Sequence, residues 1–211
     1  MTLLLPLTTF RSFNLKYEDR LIESYTEKYG RPPNEQSTVR EWFDCMMIHD
    51  CLWFVRHALM PRFPDQKELF DTVCRHVAFI CTDGILPLWE TVHPTDQWLR
   101  YTFNTARRYL KNPNEKDLKT LCRLRNDAEA SIDGTGKAFW AADMGRHIVQ
   151  SVVNDDNDFA THAHSVTTRA YGFYYDQWQK DKTNRVEIDD AIESARKRLD
   201  QLLIDLEGVT Q

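Results

Sequence analysis

From Leu15 to Leu206 the apolar residues recur at steps of three and four, and nowhere do they alternate in twos as a half-buried strand would require. Glycine and proline are scarce, at 7 and 8 residues, and fall mostly between the periodic segments. A strand-and-turn architecture needs more of both. The pattern predicts an all-α fold, a compact bundle of about eight helices. With 211 residues, 42% of them hydrophobic, the chain is long enough to fold around its own core without disulfides or a structural metal. It reads as a single helical domain over 1–211, with 1–64 readable as a lineage-specific N-terminal extension and 65–211 as the main bundle.

The first helix, Leu15 to Tyr29, is stopped by Gly30-Arg31-Pro32-Pro33. A second should begin near Asn34 or Ser37 and run to Leu59. Between Trp42 and Met60 it is apolar nearly all round, as expected of a helix through the middle of the molecule. A third spans Asp65 to Thr82, with Asp71 placed to pair with Arg75 on the wet side, and Gly84 and Pro87 predict a kink or break beyond it. The fourth, Trp98 to Leu110, shows apolar residues on two flanks, so both should be covered. Asn114 is the expected N-cap of a fifth helix through Ala128. In the sixth, Ala138, Ala141, Ala142 and Gly145 form a small-residue stripe, expected to face Ala160, Ala163 and Ala170 of the seventh. The last, Val186 to Glu207, carries a seam of Ile188, Ile192, Ala195, Leu199, Leu202 and Leu206, with Glu193 poised to pair with Lys197. That seam is expected to pack on its own bundle, with pairing in a homodimer as the alternative.

The formal net charge of −5 disfavours wholesale attraction to nucleic acid or anionic lipid. No run approaches the 18 or so apolar residues of a transmembrane helix, and Leu3-Leu4-Leu5-Pro6-Leu7 is too short for a secretory core. A cytoplasmic protein is expected. Cys45, Cys51, Cys74, Cys81 and Cys122 contain no Cys-x-x-Cys pair and read as small buried apolar side chains in a reducing compartment.

The chemistry-bearing patterns are incomplete. His49-Asp50 resembles the dipeptide of the His-Asp phosphohydrolases, but their metal site needs an earlier histidine and His49 is the first in the chain. A buried polar pair is the expectation. Glu90-x-x-His93 is half of a carboxylate-bridged di-iron pattern and has no second copy. Glu187-x-x-Asp190 lacks the upstream Glu-x-x-Glu with which a helical pyrophosphohydrolase would hold magnesium. His162 and His164, two apart, must face different ways on a helix, which disfavours a metal shared with His147. Arg107, Arg108, Lys111, Lys116, Lys119, Arg123 and Arg125 crowd two helices, but Glu115, Asp117, Asp127 and Glu129 interleave with them, so nucleic-acid binding is not favoured. No catalytic residue, metal ligand or cofactor is nominated.

One segment, Cys81 to Asp176, has a recognisable arrangement. Cys81-x-x-x-Ile85-Leu86-Pro87-Leu88-Trp89-Glu90, Pro94-x-Asp96 and Ala106-Arg107-x-Tyr109 precede two small-residue helices bearing Ala141-Ala142, His147, Ala160 and His162-Ala163. Together these resemble a helical family of predicted immunity proteins from bacterial polymorphic-toxin systems. The resemblance covers under half the chain, and a polar Asp143-x-x-Arg146 departs from the family's alanine-rich pattern. It implies an all-α cytoplasmic protein that binds and neutralises a cognate protein toxin without chemistry of its own. An acidic inhibitor would gain speed against a basic toxin by long-range steering, and the candidates for that role are Asp155, Asp156 and Asp158 on one turn, with Glu187, Asp189 and Asp190. Two alternatives remain open at this level. One is a metal-dependent all-α hydrolase with ligands from His49, Asp50, Glu90 and His93; the other is a phage or mobile-element protein that binds a host defence factor.

Overall fold

The computed structural model describes residues 3–5, 7–11, 18–131, 137–153, 159–180 and 186–209. Ten α-helices run through them: α1 (Leu7–Arg11), α2 (Glu18–Tyr29), α3 (Val39–Cys45), α4 (Ile48–Phe54), α5 (Lys67–Val92), α6 (Trp98–Lys111), α7 (Glu115–Ser131), α8 (Lys137–Gln150), α9 (Phe159–Lys180) and α10 (Val186–Val209). The fold is all-α; the only extended pairing among the described residues is an isolated antiparallel bridge between Leu4 and Thr38. The longest helix, α5, packs along both α9 and α10, while α8 lies between α7 and α9, and α4 rests on α9. One cluster of buried side chains extends from Leu3 to Leu206. No helix is long and apolar enough to cross a membrane among the described residues.

The helix expected to run unbroken to Leu59 is instead divided, and the central place falls to α5. Thr38 caps α3 in a capping box: its hydroxyl accepts from the Glu41 N–H at 3.1 Å and the Glu41 carboxylate accepts from the Thr38 N–H at 2.8 Å. The Thr38-x-x-Glu41 spacing is visible in the sequence and places the start two residues beyond Ser37. Met46 and Met47 then take extended conformations, ψ 153° and 156°. Carbonyls at that break are also claimed from far along the chain. Arg196 of α10 donates to Phe43 O at 2.9 Å and to Met46 O at 2.7 Å. Beyond α4 the chain widens into a π-helical turn, Val55–Leu59, followed by the 3₁₀ turns Met60–Arg62 and Pro64–Gln66. Pro61 and Pro64 offer no N–H with which an α-helix could continue.

The N-terminal segments are fastened by aromatic packing and backbone hydrogen bonds. Phe10 stacks on Trp42 at 3.8 Å, and the Trp42 indole N–H donates to Leu5 O at 3.0 Å. Leu5 N donates to Ser37 O, Val39 N to Leu3 O, and Leu3 N to the Glu207 carboxylate on α10. Gly30, with φ 64°, ends α2 in the left-handed conformation that only glycine adopts without strain.

The expected break near Gly84 and Pro87 is absent: α5 continues to Val92. A proline inside a helix costs about 3 kcal/mol. Around Pro87, however, Ile85, Leu86 and Trp89 are all buried, and each such side chain stabilises the fold by about 1.5–3 kcal/mol. Packing outweighs the proline. Asp71, expected on the wet side with Arg75, is buried and accepts from Lys67 at 2.8 Å. Arg75 instead donates to Ser151 O and lies over the Phe159 ring.

Other local expectations hold. Asn114 caps α7, its Oδ1 accepting from the Asp117 N–H at 2.9 Å. Lys197 lies 3.5 Å from Glu193. The α10 seam residues Ala195, Leu199, Leu202 and Leu206 are buried within the chain, where α10 packs on α5. All five cysteines are free, and Cys51, Cys74 and Cys81 are buried, but Cys45 and Cys122, expected to be buried too, are only half-buried. In the small stripe of α8, Ala141 and Ala142 are buried and the side chain of Ala138 lies outside the described residues, while Gly145 departs from the expectation. A Cβ on Gly145 would lie 2.4 Å from the Trp98 ring, so this glycine seats an indole of α6 rather than α9. On α6, Leu99, Phe103 and Ala106 are buried, and on the other flank Trp98 and Tyr109 pack against the core while Tyr101 is exposed.

Candidate functional site

Of the acidic residues nominated for a partner, Asp155, Asp156 and Asp158 lie outside the described residues, as does the side chain of Glu187. Asp189 and Asp190 are exposed near the start of α10.

The four side chains of the hydrolase alternative do not assemble into a ligand set. His49 Nε2 lies 3.5 Å from Asp50 Oδ1, and its ring faces Tyr171 of α9 at 5.6 Å. Glu90 is held in a two-pronged pairing by Arg100, Nε to Oε1 at 2.7 Å and Nη2 to Oε2 at 2.9 Å. The hydrogen bonds from Arg100 pull its pKa below the usual carboxylate range. His93 packs its ring on Trp89. Among the described residues no group of three or more His, Cys, Asp or Glu side chains is placed to hold a metal ion.

Asp143-x-x-Arg146, which departs from the resembled pattern, forms a charged node between α8 and α9. Asp143 is 2% exposed. Arg146 Nη2 donates to its Oδ1 at 2.7 Å, and Arg169 of α9 donates from Nε to its Oδ2 at 2.5 Å. Burial opposes ionisation of this carboxyl, but the two guanidinium groups overcome it and its pKa falls below the ordinary value. Arg146 also reaches His147 Nε2 at 3.1 Å, and since arginine can only donate, that nitrogen accepts. Neutral His147 therefore carries its proton on Nδ1, which lies 3.1 Å from His162 Nδ1 and donates to it. Burial and the neighbouring Arg146 hold His147 at a pKa of about 4, so it stays uncharged at neutral pH. His164 faces the other way, towards His49 at 6.4 Å, as its two-residue offset from His162 predicts. Burial, reinforced by His49, lowers it to about 4 as well.

A second charged group lines an open cleft of about 330 Å³ between α5, α6 and α10. Phe79 and Ile80 of α5 and Phe103 and Leu110 of α6 form its apolar wall, the two phenyl rings 5.0 Å apart. Arg107, Lys111 and Arg198 supply cations, with His76 alongside and Asp83 as the one carboxylate. Asp83 is half exposed, 3.5 Å from Arg107 and 4.0 Å from Arg100. The buried Nε of Arg198 has no hydrogen-bond partner among the described residues. The sequence had offered Arg107 and Lys111 as part of a basic face, and the structure divides that face: Arg108 pairs with Asp117 and Lys119 with Glu115, while Arg107 and Lys111 turn to the cleft. Arg198 carried no local signal, since it stands beside Leu199 on the flank of a heptad seam and looks like an ordinary solvated charge. No protein-family model, curated protein or solved structure matches the chain.

Proposed function

We propose that this chain is a binding protein of the immunity or inhibitor kind, which neutralises a cognate bacterial toxin in the cytoplasm by direct contact and does no chemistry of its own. The observation that supports this reading is the state of the reactive side chains in the segment resembling such proteins. Glu90 is gripped by Arg100, Asp143 by Arg146 and Arg169, and His147 is held neutral between Arg146 and His162. Groups that could otherwise hold ions or move protons thus lock helices together and present a rigid outer shape. The net charge of −5, with Asp189 and Asp190 exposed, suits a basic partner drawn in by steering.

The test is co-expression with the products of neighbouring genes. The expected outcome is that one neighbour arrests growth alone, that this chain restores growth, and that the two co-purify at a fixed ratio. If no neighbour is toxic, or if rescue occurs without a complex, the reading fails.

A further inference from the structure

The cleft between α5, α6 and α10 has no part in that reading. We propose that it is a binding site for a small phosphate monoester attached to a flat apolar group. Its volume of about 330 Å³ is within the range of sites that enclose small ligands. One side of it is apolar and partly aromatic: Phe79, Ile80 and Leu110 are partly exposed along it, and the buried Phe103 ring backs Phe79 at 5.0 Å. That wall suits a flat apolar body and gives a wholly polar anion nothing to pack against.

The charges select the other end of the ligand. Arg107, Lys111 and Arg198 set three permanent cations against the single carboxylate of Asp83, a surplus of two positive charges. His76 adds none at neutral pH, because burial and the nearby Arg198 and Arg75 lower its pKa. A phosphate monoester, whose second pKa is near 6, carries about two negative charges at neutral pH and matches the surplus. A carboxylate brings only one. Guanidinium groups are also the side chains best shaped to hold phosphate oxygens. Arg198 comes to the cleft from α10 and Arg107 and Lys111 from α6, so a phosphate there meets cations from two helices.

Calorimetric titration of the full chain with naphthyl phosphate tests the proposal, with naphthol, naphthoate and inorganic phosphate as comparators. Saturable binding of naphthyl phosphate is expected at concentrations below about 1 mM, with each comparator weaker by about tenfold or more. Arg198→Met and Lys111→Met should each weaken naphthyl phosphate by about tenfold, as expected for loss of a charge-assisted contact. Lys111 is exposed, so its variant will fold even if Arg198→Met does not. Absence of saturable binding overturns the proposal. So does equal binding of naphthol or inorganic phosphate, which would make one half of the ligand irrelevant. Naphthoate binding as tightly as naphthyl phosphate overturns the phosphate assignment, and unchanged affinity in Lys111→Met removes the site from this cleft.

Discussion

The node at Asp143 and the cleft at Asp83 are made from nearly the same side chains. Each contains one aspartate, two arginines and at least one histidine, drawn from neighbouring helices. In the node both guanidinium groups converge on a carboxylate that is 2% exposed, and the histidine beside it is locked in one tautomer. In the cleft the carboxylate is half exposed and its contact with Arg107, at 3.5 Å, is long. Composition therefore does not tell a structural charge cluster from an open one. The burial of the carboxylate and the length of its ion pairs do.

The largest test of that contrast is Asp143→Asn. It leaves two arginines facing each other across a helix contact, and breaking a buried pairing of this kind should cost about 3 kcal/mol or more in urea unfolding. A loss under about 1 kcal/mol would mean that the node is no tighter than a surface pair.

Acid is the second probe. In the folded chain His147 and His164 take up protons only near pH 4, whereas in the unfolded chain they do so near pH 6.5. Unfolding therefore binds protons between those values, and stability, intact above about pH 6.5, falls as pH drops towards 4. Each histidine contributes a slope of up to about 1.4 kcal/mol per pH unit. His147→Gln and His164→Gln should each flatten the profile, and His76→Gln, at the more exposed cleft, should flatten it less. A stability profile that is level across that window would break the assignment of neutral buried histidines.

Gly145→Ala should be milder. Removing glycine from a helix favours folding by about 1 kcal/mol, but displacing the Trp98 ring costs about 1–3 kcal/mol, for a net loss of about 1 kcal/mol in thermal unfolding. Adding Trp98→Leu should turn that loss into a gain. The smallest effect belongs to the cleft: Asp83→Asn removes a partly exposed, loosely paired carboxylate and should change stability by less than about 1 kcal/mol. If it destabilised as much as Asp143→Asn, the distinction between the two clusters would collapse.

Much of the helical order was legible in the sequence because it depends on neighbours three or four residues away. The Asn114 cap, the Gly30 stop, the Glu193–Lys197 pair and the opposed directions of His162 and His164 are of this kind. What escaped depends on partners distant in sequence. The break at Met46-Met47 is stable because Arg196 takes its carbonyls, and nothing between Trp42 and Met60 announces that. Pro87 reads as an interruption until the burial of its neighbours is known. The same holds for the candidate site: Arg107 and Lys111 stood out as basic residues, but only the meeting of three helices shows Arg198 beside them with an apolar wall between.

The grip of Arg196 on α3 also bears on how the molecule is born. Met46 leaves the ribosome 150 residues before the guanidinium that will secure its carbonyl, an interval on the order of ten seconds at ordinary rates of translation. Through that time the end of α3 lacks the two hydrogen bonds that Arg196 supplies, and its native form must wait for nearly the last segment to be made.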